Sequence, residues 1–265
     1  MKRVLLKILP KNRHIYSFCK SYVDKYNGEN NADIRTNGEL RVMQRTLGKC
    51  QVVFDIGAHI GEWTKLGLAI NHTLKIHCFE PSTRTFEALT ANEFPPNVVC
   101  NNLGFSSVEG EQTLFVFEGA SGLNSLYQRH GLENGWGLET QRQQEQVKLD
   151  TLEHYCSRNK ISEIDFMKID VEGHELEVFK GGRQLFENAR VKMIQFEYGG
   201  CNIDSHVFLK DIFQFFENFD YSFYKIYPEG IRNVPRYDQR LETFQYQNWL
   251  IIKKNCPVLL LKAGT

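Results

Sequence analysis

The chain has 265 residues, enough for one large domain with additions. Lysine plus arginine equals aspartate plus glutamate at 32 each, so no net charge argues for a nucleic-acid partner. Hydrophobic content of 42% and charged content of 24% are ordinary for a globular protein. The seven cysteines are scattered without a CxxC pair or a cysteine–histidine cluster, so neither a disulfide framework nor structural zinc is indicated and the reducing cytoplasm fits best.

The amino-terminal "MKRVLLKILPKNR" is interrupted by Lys7 and closed by Pro10, too short for a signal-peptide core or a bilayer span. It reads as a short helix packed on the domain with its lysines in water. A basic amphipathic turn peripheral to an anionic membrane is the alternative. Residues 1 to 48 form a helical and loop-rich extension, with "NGENNADIRTNGEL" dense in turn formers. From residue 49 to 265 the pattern is that of one domain in which strands and helices alternate.

Val52-Val53-Phe54 is a buried strand ending at Asp55, followed by a turn with Gly57 and Gly61 and a helix from Glu62. Lys75 to Phe79 is a second strand, and a helix follows from about Thr83 to Asn92. Val98 to Asn101 is a third strand, and "EQTLFVFEG" alternates every second residue as an added antiparallel strand. "VKLDTLEHYC" runs from a short strand into a helix capped near Asp150 or Thr151. "IDFMKID" and "VKMIQFEYG" are the fourth and fifth parallel strands, with a helix closed by Gly181-Gly182 between them. A helix around Val207 to Asn218 precedes "YSFYKIY" and "NWLIIKK", two β-rich runs expected to pair as an antiparallel edge. Alternating βα units imply an α/β, Rossmann-like fold with a mostly parallel sheet covered on both faces. Such sheets bind ligands beyond the carboxyl ends of their strands, where Asp55, Glu80, Asp170 and Glu197 are expected.

The turn reads G-A-H-I-G, which breaks the G-x-G-x-x-G dinucleotide fingerprint, and the P-loop lysine is missing. Glu80, about 25 residues after Asp55, is placed to accept two ribose hydroxyls. A carboxylate at the glycine turn repels pyrophosphate and favours a nucleoside carrying an ammonium group. S-adenosyl-L-methionine fits that description.

"FDIGAHIGEWT", "CFEPSTRTFEAL", "LGFSS" and "LDTLEHYC…IDFMKIDVEGHELEVFKGG" together resemble the FkbM family of S-adenosylmethionine-dependent methyltransferases, over residues 50 to about 200. The resemblance implies the class I methyltransferase fold, with a seven-stranded sheet, and O-methylation of a sugar or polyketide hydroxyl. Asp55, Gly57, Ala58 and Gly61 would form the cofactor turn, with Thr64 near the methionine end. His59, which stands where members commonly carry Asn, is counted among the contacts. Glu80 would hold the ribose with Ser82 nearby, and Asn102 and Leu103 would flank the adenine. Asp170 and Glu172 in "KIDVEG" would sit where methyl and acceptor meet.

A poorly acidic hydroxyl needs a base or a cation. His174 has the most suitable ordinary pKa, and Asp170 or Glu172 would serve if desolvated. Asp170 and Glu197 are a candidate pair for a divalent cation, which two carboxylates are too few to assert. Each residue also has a purely structural reading: the glycines for packing, Glu172 for a helix N-terminus, Lys168 for an ion pair and His174 as a solvated side chain. The stretch from Glu118 to Gly137 offers Ser121, Asn124, Ser125, Tyr127, Arg129, His130 and Trp136, a mixture suited to a sugar-binding lid. The expected activity is O-methylation of a saccharide or glycoconjugate. A polyketide or other secondary metabolite is the alternative acceptor, and nucleic acid is not expected as a partner, since no basic aromatic face or N-P-P-Y-like motif is present. The oligomeric state is left open.

Overall fold

The computed structural model describes residues 11–117, 121–132 and 143–256. Among the described residues the first helix is α1 (Arg13–Asn27), followed by α2 (Glu39–Thr46). The segment 1–10, read from sequence as a basic amphipathic turn, lies outside the described residues.

Among the described residues the main sheet has eight strands, in the order β10 (Gly230–Asn233), β9 (Tyr221–Tyr227), β11 (Gln247–Lys253), β8 (Val191–Tyr198), β7 (Ile164–Ile169), β1 (Val52–Ile56), β2 (Lys75–Phe79) and β3 (Val98–Asn101). Its parallel half consists of β1, β2, β3, β7 and β8. The helices between them are α3 (Glu62–Ile70), α4 (Thr83–Thr90), α5 (Leu152–Arg158), α6 (Glu175–Lys180) and α7 (Arg183–Glu187). From β1 the chain winds outward to β2 and β3, then returns to β1's other side as β7. The switch point therefore lies between β1 and β7, where such sheets open a crevice.

The alternating strand faces build two cores. Phe54, Phe79, Ile169 and Phe196 pack on one side with Leu152, Tyr155 and Phe179 from the helices. Val53, Ile76, Phe166 and Met193 pack on the other with Val42 and Met43 of α2 and Trp63 of α3. A separate three-stranded sheet of β4 (Gly104–Phe105), β6 (Gln143–Asp150) and β5 (Gly110–Val116) contains the antiparallel addition expected from "EQTLFVFEG".

After α8 (Cys201–Ser205) and α9 (Leu209–Phe216) come β9 (Tyr221–Tyr227), β10 (Gly230–Asn233) and β11 (Gln247–Lys253). The last two β-rich runs pair antiparallel as expected, but β11 is inserted between β8 and β9 instead of standing at the rim. Trp249, Leu250 and Ile251 are fully enclosed, which an edge strand would not allow. The rim is the β9–β10 hairpin, whose short second strand is the eighth of the sheet. "GIRN" has no readable alternation, and only its pairing with β9 makes it a strand.

Candidate active site

A cavity of about 250 Å³ opens beyond the carboxyl ends of β1, β2 and β7. Gly57 and Ala58 form its floor. Gly57 sits at φ +77°, and a Cβ there would lie 1.8 Å from the Asp170 carbonyl oxygen, so the turn after β1 can cross the end of β7 only with glycine. The N–H groups of Gly57 and Ala58 donate to the Phe79 carbonyl at 3.0 and 2.9 Å, which ties the turn to β2 and leaves neither for a ligand. Gly61, at φ +83°, lies behind the floor, where a Cβ would press on Leu89 and Phe94 at 2.8 Å. His59 adopts φ +49°, the left-handed region that Asn and His tolerate better than most residues.

Asp55 is wholly enclosed beneath this floor. The Thr64 hydroxyl donates to its Oδ2 at 2.7 Å, and Lys168 Nζ stands 3.6 Å from its Oδ1. Asp55 and Lys168 are register partners on β1 and β7, so their side chains leave the same face of the sheet. Burial raises the Asp55 pKa, with Lys168 and Thr64 opposing. Lys168 also donates to the Gly57 carbonyl at 3.3 Å and pairs with Asp170 at 3.2 Å. Burial works against its charge, but Asp170, Asp55 and Glu39 around it outweigh burial and raise its pKa. The ammonium of Lys168 therefore already occupies the position that sequence reasoning gave to a ligand's ammonium beside Asp55. Asp170, by contrast, keeps a partly open carboxylate, 35% exposed, on the cavity wall.

Glu80 is fixed from both sides. Its Oε2 accepts from the His59 N–H and its Oε1 from the Ser82 N–H, both at 3.0 Å. Burial pushes its pKa up to about 7 against those two donors. The Asn102 amide donates to the carbonyls of Glu80 and Pro81 at 3.0 and 2.9 Å, bracing this strand end from behind. Leu103, Phe79, Phe105 and Leu149 give the adjacent wall an apolar surface. Gly57, Ala58, His59, Glu80, Leu103, Asp170, Glu172 and His174 thus line the cavity, whereas Asp55, Gly61, Thr64, Ser82 and Asn102 support it from outside.

The opposite wall is the turn between β7 and α6. Glu172 is held at φ +53° and Gly173 at +103°, a strained left-handed pair. Arg129, itself buried, clamps the turn through Glu172 Oε2 at 2.7 Å and reaches Asp204 at 3.4 Å. The Ser125 hydroxyl donates to the Glu172 carbonyl at 2.8 Å. Burial, then Asp170, pushes the Glu172 pKa up to about 8 despite Arg129. His174 is buried rather than solvated. Its Nδ1 lies 2.8 Å from the Tyr127 hydroxyl and its Nε2 2.9 Å from the Ser106 hydroxyl. Burial lowers its pKa to about 4, so it is neutral with both nitrogens engaged. Ser125, Tyr127 and Arg129 of the expected lid therefore spend their polar groups on this turn. Trp136 lies outside the described residues.

Sequence reasoning missed two contributors. Glu39, the first residue of α2, reaches the cavity, where Asn37 and Asn248 donate to its Oε1 at 2.6 and 3.0 Å and Gln195 to its Oε2. Tyr246, just before β11, also lines the cavity, and the Asn248 amide donates to its hydroxyl at 3.1 Å. An acid opening a helix ordinarily faces water, so no sequence signal marked Glu39. Glu197 groups with Glu172 and Cys201, their ligand atoms within 4.8 Å of one another, and Asp170 is near enough to raise its pKa further after burial.

Five carboxylates (Glu39, Glu62, Glu80, Asp170 and Glu172) line the cavity with one lysine, Lys168, among the described lining residues, and Arg129 pairs with Glu172 from behind the wall. A phosphate-bearing ligand is disfavoured there and a cationic one favoured. This sheet order, with an antiparallel strand set beside β8 and a braced acid after β2, defines the class I methyltransferase fold. A family model for the methyltransferase FkbM domain matches residues 55–223, and the chain belongs to that family. The hexuronic acid methyltransferase AglP of Haloferax volcanii is 24% identical over 162 residues, covering 60% of this chain and 62% of that protein. The chain thus spans less than two thirds of the curated relative's length. Among solved structures, methyltransferase FkbM from Methylobacillus flagellatus KT is similar with 14% identity and a TM-score of 0.46, covering 77% of this chain and 44% of that one. The METTL16 methyltransferase domain is similar with 11% identity and a TM-score of 0.45, covering 84% of this chain and 69% of that one.

Proposed function

We propose that the protein transfers a methyl group from S-adenosyl-L-methionine to a hydroxyl of a saccharide or glycoconjugate in the cytoplasm. The observation that carries the reading is the acid-lined cavity at the switch point, with Glu80 braced by two backbone N–H groups. The residues fit this donor. Glu80 would accept from the ribose hydroxyls, Leu103 and Phe79 would border the adenine, and Asp170 would face the positive methionine end. Bound there, this donor would supply a methyl group on a sulfonium, with a neutral thioether as the leaving group.

Transfer to a hydroxyl releases one proton, and this chain must take it. Glu172 is the base: burial, then Asp170, pushes its pKa up to about 8, and Arg129 fixes its direction. His174, with both nitrogens bonded to hydroxyls, positions Tyr127 and Ser106 and accepts no proton. No step is assigned to a divalent cation. The acceptor class rests on the AglP relative, described as a hexuronic acid methyltransferase, and on the excess of carboxylates over lysine among the described lining residues, which disfavours a nucleic-acid backbone.

The test is calorimetric titration with S-adenosylmethionine and NAD, followed by radiolabel transfer to separate glycan, nucleic-acid and protein pools. Binding of S-adenosylmethionine alone and label in glycans is the expected result. NAD binding without S-adenosylmethionine binding would overturn the donor. Label confined to nucleic acid or protein would overturn the acceptor.

A further inference from the structure

The carboxyl end of α1 is tied to the body, but its length is not. Asn12 Oδ1 accepts from the N–H groups of His14 and Ile15 at 2.8 and 3.2 Å, and Gly28 ends the helix at φ +66° against the Tyr227 ring. Beyond it Glu29 forms a buried ion pair with Lys225 at 3.1 Å. None of the 15 residues of α1 is buried. A helix of that length is marginal in water when no face is covered.

What it exposes is not a random scatter. Ile15, Tyr16, Phe18, Tyr22, Val23 and Tyr26 all stand in solvent, with Phe18 74% exposed. At helical spacing they fall with Cys19 within one arc of about 160°, and every charged residue of the helix falls outside it. Lys20 and Asp24 pair at 3.0 Å on the opposite face. No other element among the described residues exposes so many large apolar side chains.

Charge identifies the occupant. The first 27 residues carry seven lysines and arginines and a single acid, Asp24, in a chain whose net charge is zero. A second copy of the chain would bring the same positive charge against itself. An anionic lipid surface would attract it, and three tyrosines with a phenylalanine suit the headgroup boundary, where ring bodies are buried and hydroxyls stay wet. We propose that the aromatic face of α1 lies in the headgroup region of an anionic bilayer, with the basic residues around it paired to lipid phosphates. No described helix is long and apolar enough to cross a membrane, so the contact is peripheral. Ala32, five residues after the end of α1, lines the cavity, so at most about 18 Å of chain separates the end of α1 from the candidate active site. The inference stands independently of the methyl-transfer reading.

The experiment is co-sedimentation of the full chain with phosphatidylcholine vesicles and with mixed phosphatidylcholine–phosphatidylglycerol vesicles, at low and high salt. Binding is expected only to the anionic vesicles and should weaken with salt. Phe18→Ser/Tyr22→Ser should lower it by about tenfold or more, with an unchanged melting temperature because neither side chain is buried. Equal binding to both vesicle types, binding to neither, or full binding by the double variant would overturn the proposal. So would a dimer in light scattering that the same substitutions dissociate.

Discussion

At the scale of single residues, the site separates groups that face a ligand from groups that hold them. Glu80 faces inward with both oxygens already oriented, so Glu80→Gln should weaken S-adenosylmethionine binding by about 1–3 kcal/mol, the cost of losing a charge-assisted acceptor. Unchanged affinity in calorimetry would remove Glu80 from the cofactor site. Asp55 is different, because its partners are Thr64 and Lys168. Glu172→Gln should leave cofactor affinity nearly intact and slow methyl transfer by roughly 10²–10⁴-fold, the usual loss for a general base. His174→Asn should instead raise the acceptor KM, since its hydroxyl partners would lose their anchor. Equal turnover for Glu172→Gln and the parent would place the base elsewhere.

The decisive contact between elements is the crossing of the β1 turn over the end of β7. A methyl group at Gly57 would overlap the Asp170 carbonyl, so Gly57→Ala must push these two strand ends apart. We expect a loss of roughly 3–5 kcal/mol, the range of severe backbone and packing conflicts. Gly48→Ala is the control, since nothing lies within 4 Å of a Cβ there and its φ is not in the left-handed range. Thermal melts of both variants would check the assignment, and equal stability would show that the crossing can relax. The glycine turn was legible in the sequence because its pattern is local. The role of its backbone N–H groups was not, because Phe79, the acceptor, belongs to a strand that arrives some twenty residues later.

For the whole molecule, a notable feature is how many ionisable groups are buried, with Glu80, Glu172 and His174 among them on the cavity wall. Burial raises Glu80 and Glu175 to about 7 and Glu172 to about 8, and lowers His77 and His174 to about 4. An acid with a raised folded pKa binds its proton more tightly when folded, so stability falls as pH rises from its unfolded value through the folded one. A histidine with a lowered pKa costs stability as pH falls from about 6.5 through about 4. Between about pH 4.5 and 6.5 the two trends oppose each other, and above that only the acids act. The melting temperature of the ligand-free protein should therefore decline from pH 6.5 to 8. S-adenosylmethionine, being cationic, should flatten that decline. A melting temperature that rises over the same interval would contradict the buried acids.

What the sequence determined by itself is everything whose signal is local in the chain. Apolar runs of five or six residues, glycines at a fixed offset after an aspartate and an acid at the end of the second strand identify the alternating α/β fold and the end of its sheet where the cavity lies. The short "GIRN" strand and the inner position of β11 depend on pairing between segments far apart in sequence, so no local pattern encodes them. Tertiary structure alone decided which carboxylates meet. Glu39 and Tyr246 enter the cavity from opposite ends of the chain, and Lys168 draws Asp55 and Asp170 together because β1 and β7 are neighbours in register. Whether a carboxylate keeps its charge depends on how much water and which partners surround it, and both are properties of the packed molecule.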